Sequence, residues 1–362
     1  MTGYGLDNLP YGVFSVPQGE RRLGVRLGND VVDLSGLGGF FAAPSLNPLL
    51  AAGRPEWTAA REAVLDYVAS GPPTSPLHGV TMHLPFEVAD YTDFYSSEAH
   101  ALNVGRILRP SSPGLPPQWR HLPIGYHGRS STVVVSGTPI RRPYGQLAAG
   151  SYGATRRLDV EAEVGFVVGT PGRRITTGSF EDHVFGIVLV NDWSARDLQA
   201  WEYRPLGPFL GKSFATSVSP WVVPLSVLAP VPAPAQDPEP LDYLRPAGPA
   251  YDLKLSIAWN GTLVSSPPFA SMYWTAAQQL AHLTSNGASV RTGDLYASGT
   301  VSGPSPDQVG SFLELTADGA SPVTLADGSQ RGFLLDGDEV VISGTSADGK
   351  IGLGSVSGIV VG

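Results

Sequence analysis

Four acidic residues of this chain, Asp93, Glu161, Glu163 and Asp192, have the types and placement to build a hard-metal site. They come from three separated segments, at a strand end, on a strand face and in a loop entering a helix. Brought together in a partly buried site, four carboxylates would repel until some took up protons, unless a divalent cation held them. An all-oxygen set selects Ca²⁺ or Mg²⁺, and a six-ligand sphere leaves about two positions for substrate oxygens or water. Spacing alone leaves the convergence open.

A second group surrounds Asp192. The apolar run Phe185–Val190 suits a strand buried on both faces. Asn191, Asp192 and Ser194 then suit its exit and the capped start of a helix that Pro205 stops. In that helix Arg196, Gln199 and Tyr203 fall at i, i+3 and i+7, on one side. The stripe is either a solvated face or a grip for an anionic, oxygen-rich small molecule. Lys212 follows in Gly211-Lys-Ser213, but Leu206 stands where a phosphate loop needs glycine and Pro208 breaks it, so that motif is rejected.

A third group lies in Asp90-Tyr-Thr-Asp-Phe-Tyr-Ser-Ser-Glu-Ala-His100. Ser96 or Ser97 can cap a helix with Glu98 in its first turn, where negative charge is favoured. His100 then lies on the helix, Asp93 and Tyr95 in the loop before it, and Arg109 just past its end. Glu314, in the strand-like Phe312-Leu-Glu-Leu315, needs a partner if it faces inward, and His100 is the candidate.

The elements that must position these groups are mostly β. Residues 12–34 predict short antiparallel strands with hairpin chemistry at Gly28-Asn29-Asp30, and Trp57–Ala69 predicts a helix ended by Gly71. Residues 1–88 form a small β-rich module without a catalytic cluster; His78 and His83 sit in its connector. Residues 110–128 are irregular, with Gly125-Tyr-His-Gly-Arg129 suited to a binding or merely structural loop, and 130–137 predict a strand. Period-two alternation over Asp159–Val168 puts Asp159, Glu161 and Glu163 on one face, either solvated or carrying something cationic. The proline-rich stretch 228–240 predicts a crossover that holds no ladder. Beyond it come a strand over 251–259, a hairpin turn at Asn260-Gly261, a helix over 274–283, and strand signals at 297–300, 312–315, 333–335, 339–342 and the end.

Composition narrows the function classes. The 362 residues suffice for a small and a large domain, and 44 glycines with 33 prolines suit short strands and turns. A formal net charge of −9 argues against nucleic acid or an anionic membrane as partner. With no cysteine, thiolate chemistry and soft-metal sites are excluded. The first twelve residues lack signal-peptide character and no apolar run approaches the ~20 residues of a membrane span, so a cytoplasmic location is expected.

Several long words resemble the fumarylacetoacetase family in the same order and nearly end to end. They include Leu9-Pro-Tyr-Gly-Val-Phe-Ser15, Asp93-Phe-Tyr-Ser-Ser97 with His100, Gly125–Arg129, Val135–Pro143, Asn191–Asp197, Trp201-Glu-Tyr203, Pro205–Ser213, Gly293–Thr300 and Phe333–Glu339. The resemblance implies a small SH3-like β-barrel domain (1–88) followed by a large catalytic β-roll domain (89–362), assembled as a homodimer. It implies a divalent cation, Mg²⁺ or Ca²⁺, on Asp93, Glu161, Glu163 and Asp192, with Lys212 and Thr216 at a further magnesium-type contact. It makes His100 the general base oriented by Glu314, with Arg196, Gln199 and Lys212 stabilising negative charge. Tyr95, Arg109, Gln199, Tyr203 and Thr300 would contact a small diketo-acid substrate. The implied reaction is hydrolysis of the carbon–carbon bond of 4-fumarylacetoacetate, the last step of tyrosine and phenylalanine catabolism. The rival is a superfamily hydrolase or decarboxylase acting on an acylpyruvate or other 2-keto acid.

Overall fold

A computed structural model describes residues 3–108, 111 and 114–362. Arg109 lies outside the described residues. Strand dominates, as expected. The largest sheet among the described residues has 13 strands, and its path runs open from Thr74–Pro76 at one edge to Gly125–His127 at the other, so it does not close into a barrel.

The amino-terminal strands are continuous with the rest. Tyr11–Ser15 pairs antiparallel with Arg22–Leu27 and also, through Tyr11 and Gly12, with Trp221–Pro224. The expected hairpin turn falls between Arg22–Leu27 and Asp30–Asp33. The helix Arg54–Ala69 carries its buried stripe Trp57, Ala60, Val64 and Val68 at helical spacing. That stripe shares a core with Val167, Val188, Val190 and Leu295 from the following strands.

At the centre lie Ala162–Val168 and Val184–Asp192, every residue of both buried, as continuous β-branched runs require. They pair antiparallel, Ala162 beside Asn191 and Glu163 beside Val190, so the start of one strand meets the end of the other. Leu295–Ala297 flanks Ala162–Val168 and pairs in parallel with Tyr91–Phe94. Directly opposed residues share a face and alternate residues return to it. Glu163 therefore shares a face with Glu161 and, through Val190, with Asp192. Through Gly165, Ala297 and Asp93, paired in that order, the same face reaches the fourth carboxylate. The opposite face is an apolar core in which Phe166 stacks on Tyr296 at 5.2 Å.

Several expectations are corrected. Asp93 stands within a strand, Tyr91–Phe94, rather than in the loop before the helix. Phe312–Leu315 is a helical turn, not a strand, because Ser311 caps it and Glu314 occupies the third position, the Ser-x-x-Glu signature of a helix start. The helix Arg196–Glu202 has Ala195 as its cap; Ser194 instead donates to the carbonyl of Asp192 within a two-residue strand. Residues 228–240 do hold a short ladder, Pro230–Val231 against Ala250–Tyr251. Residues 333–335 are not strand.

Gly299 links the fold to the site. Its φ is +76°, and a Cβ there would stand 2.1 Å from the Phe94 carbonyl oxygen. Gly299→Ala should cost about 1–3 kcal/mol and lower the melting temperature; an unchanged melt would show that the 94–95 backbone yields freely.

Candidate functional site

The register described above delivers Asp93, Glu161, Glu163 and Asp192 to one place, with ligand atoms all within 4.8 Å of one another and all four residues buried. The acidic face is therefore not solvated. Cations do reach it. Lys212 Nζ lies 2.6 Å from Asp192 Oδ2 and also donates to Glu161 Oε2, while Arg196 Nη1 lies 2.7 Å from Glu161 Oε1. The Thr216 hydroxyl donates to Asp192 Oδ1 at 2.8 Å, its position being paired with Asp192 in the sheet.

These two cations do not satisfy the cluster. Both oxygens of Glu163 and Oδ1 of Asp93 are buried without a hydrogen-bond partner among the described residues. Burial first, then the neighbouring carboxylates, pushes Asp93 and Glu163 well above the usual carboxylate range. Glu161 moves the other way: burial would raise it, but Lys212 and Arg196 outweigh that and hold it low. Orphaned, mutually repelling oxygens are what a hard divalent ion satisfies, so the donor set fits such an ion.

His100 lies on the helix Glu98–Leu108, whose first turn is held by the Ser97 hydroxyl accepting from the His100 amide at 3.1 Å. His100 Nδ1 lies 2.6 Å from Glu314 Oε2, and Nε2 lies 4.0 Å from Glu161 Oε1. Glu314 also accepts from Asn103, Ser302 and Ser311 at 2.9, 3.0 and 2.7 Å. Burial alone would push its carboxyl up, toward the protonated form; His100 and these donors instead hold it below the usual carboxylate range. Glu314 thus stays anionic and keeps the Nδ1 proton of His100 in place. The expected pair is formed.

One cavity of about 490 Å³ collects most of the remaining candidates. Asp93, Tyr95, His100, Glu161, Arg196, Gln199, Tyr203, Lys212 and Thr300 all line it. Arg196 Nη1 donates to Gln199 Oε1 at 3.1 Å, which leaves the Gln199 amide hydrogens for another acceptor. Arg196 Nη2 and Thr300 Oγ1 are buried without a partner among the described residues. Unpaired buried donors beside a cavity are disposed to meet an oxyanion.

Three residues that matter here were not singled out as site residues from the sequence. Tyr126 is paired with Asp93 in the sheet and donates to Asp192 Oδ2 at 2.9 Å. Asp159 is fully buried outside the carboxylate cluster, where Oδ2 accepts from Arg196 at 2.7 Å and from the Leu313 amide at 3.0 Å, and Oδ1 from the Phe312 amide at 2.8 Å. Asn103 follows His100 by three residues, a helical spacing that could have flagged it. For Tyr126 and Asp159 no sequence signal pointed to the partner, since both contacts are long-range.

Without a cation, the raised Asp93 and Glu163 favour the folded state only while protonated. Their contribution is present below the unfolded carboxylate range and is lost as pH rises through their folded values. Cation binding displaces those protons, so Mg²⁺ or Ca²⁺ should raise the melting temperature of chelator-stripped protein more at pH 8 than at pH 5. A shift independent of pH, or none, would remove the cation from this cluster. Glu161→Ala should abolish the shift.

Comparison with known proteins covers nearly the whole chain. Residues 7–85 match the model described as fumarylacetoacetase N-terminal and residues 90–361 the model described as fumarylacetoacetate (FAA) hydrolase C-terminal. Curated fumarylacetoacetases from Rattus norvegicus and Homo sapiens are 45% and 46% identical, covering 99% of this chain and 96% of theirs. The one from Arabidopsis thaliana is 41% identical over 98% of this chain and 95% of its own. Among solved structures, a fumarylacetoacetate hydrolase from Exiguobacterium antarcticum superposes with a TM-score of 0.63 at 20% identity, covering 98% of this chain and 99% of that one. A maleylpyruvate hydrolase from Sphingobium sp. SYK-6, solved with manganese(II) and pyruvate, superposes with a TM-score of 0.59 at 17% identity, over 97% of this chain and 98% of its own. Fold, site chemistry and full-length similarity agree: the chain belongs to the fumarylacetoacetate hydrolase family.

Proposed function

We propose that this chain is an enzyme that hydrolyses the carbon–carbon bond of 4-fumarylacetoacetate to fumarate and acetoacetate, within tyrosine and phenylalanine catabolism. The observation that carries the reading is the His100–Glu314 pair, 2.6 Å apart, whose imidazole lines the same cavity as Asp93 and Glu161 of the carboxylate cluster. Full-length identity to curated fumarylacetoacetases supports the substrate.

A divalent cation, Mg²⁺ or Ca²⁺, held by Asp93, Glu161, Glu163 and Asp192, would supply Lewis-acid polarisation of the β-dicarbonyl oxygens. His100, with Nδ1–H donated to Glu314, presents Nε2 as a base and takes a proton from water as the water oxygen bonds to the carbonyl carbon. Glu314 stabilises the imidazolium so formed. Arg196 Nη2, the Gln199 amide and Lys212 stabilise the charge that gathers on the former carbonyl oxygen, where one such donor is worth about 3 kcal/mol. The carbon–carbon bond then breaks, its electron pair leaves with the acetoacetate fragment, and the proton held on His100 returns to that carbon. Tyr95, Tyr203 and Thr300 orient the substrate from the cavity wall, with Arg109 as a further contact. Lys212 and Thr216, both bonded to Asp192, fix that ligand.

The same reading places residues 1–88 in an SH3-like domain and 89–362 in a catalytic β-roll domain. It also expects a homodimer and a cytoplasmic enzyme. The apolar loop beside the cavity, with Leu206 96% and Phe209 64% exposed, supports association with a second copy. No described helix is long and apolar enough to cross a membrane.

Ultraviolet absorbance of fumarylacetoacetate should decay with the purified protein, stop on EDTA and resume with Mg²⁺ or Ca²⁺. No decay in any metal condition would move the activity to an acylpyruvate. His100→Ala should lower kcat by about 10²–10⁴ while cation affinity is kept; near-normal turnover would remove His100 from the chemistry.

A further inference from the structure

An acidic protein that binds a dianion needs a local cation that is not already neutralised. The net charge is −9, and two of the basic residues on the cavity wall have their charge balanced by acids. Arg196 pairs with Asp159 and Glu161, and Lys212 with Glu161 and Asp192. Among the described residues of that wall the third basic one is Arg204, which is exposed and makes no ion pair with any of them. Its guanidinium lies 5.1 Å from the centroid of the Tyr203 ring, and its Nε donates to Tyr203 Oη at 2.7 Å.

That contact has a chemical consequence. A phenol that accepts from a guanidinium still has its own hydrogen to donate, and Arg204 keeps its two terminal nitrogens for a further acceptor. The phenol hydrogen and the terminal guanidinium hydrogens are thus adjacent donors at the cavity mouth. A planar guanidinium also meets a carboxylate through paired, charge-assisted bonds.

The geometry points to Arg204 as a specificity-determining residue that, together with Tyr203 Oη, binds one carboxylate of a dicarboxylic substrate at the mouth of the cavity. The inference rests on the hydrolase reading for the identity of that substrate, but the clamp itself is a property of the Arg204–Tyr203 donor pair. It acts on binding and not on the bond-breaking step. The substrate is held through a group remote from the diketone, and its approach is favoured against the field of the whole protein.

Arg204→Gln tests this, with Arg204→Lys as the conservative variant; both sit at an exposed position. For Arg204→Gln, KM for fumarylacetoacetate should rise about tenfold, in line with a charge-assisted hydrogen bond, with kcat changed less than twofold. Arg204→Lys should fall between the two. The inhibition constant of either fumarate or acetoacetate should rise by a similar factor, which identifies the carboxylate held. Added salt should raise KM more in the original protein than in Arg204→Gln. Unchanged KM and unchanged inhibition by both products would overturn the assignment while leaving the hydrolase reading intact. If the original protein turns over no fumarylacetoacetate, calorimetric binding of fumarate and acetoacetate still decides. Affinity lost in Arg204→Gln keeps the clamp and discards the reaction, and affinity unaffected discards both.

Discussion

Four carboxylates buried on one face of a sheet repel one another, and much else in this structure answers that repulsion. Desolvation and like charge together favour protonation of Asp93 and Glu163, while Lys212 and Arg196 hold Glu161 ionised. The two cations are themselves buried, and they remain charged because the acids around them outweigh their own desolvation. Neither cations nor acids would be tolerated at that depth alone. A divalent ion would complete the balance by satisfying oxygens that no described side chain reaches.

The scaffold that holds this charge is rigid because it is doubly buried. One side of Ala162–Val168 and its neighbours packs into an aromatic core, and the apolar part of the other side is covered by the amino-terminal strands and their helix. The carboxylates occupy the remaining part of that second face. The amino-terminal region therefore covers the flank of the carboxylate-bearing face, although it contributes no residue to the cluster. Close packing around Gly165, where a Cβ would stand 2.7 Å from Val190 and 2.9 Å from Leu295, keeps the central strands in register.

Asp159 joins the two halves of the chemistry. One carboxylate accepts from Arg196 and from two amides at the start of the helical turn that carries Glu314. A negative charge at the amino end of that turn is favourable. Arg196 and the turn that carries Glu314 are thereby tied to one buried anchor, so neither can shift without disturbing the other. His100 is set by a helix and Asp159 by a strand end, and only the meeting of such elements makes a site.

Much of this was legible in the residues themselves. The unbroken apolar run before Asn191, the stripe Arg196, Gln199 and Tyr203, and the turn residues Gly28-Asn29 and Asn260-Gly261 act through neighbours close in sequence, and local chemistry is read from local order. The Ser311-x-x-Glu314 cap was equally local, although the apolar residues around it suggested a strand. What the chain alone left open was whether four distant acids share a face. Strand register decided that, because one residue of slip would have turned each carboxylate to the opposite side. Register in turn depends on how both faces of the sheet pack. The partners of Asp159 and Tyr126 were settled the same way, by contacts between elements whose approach no spacing records.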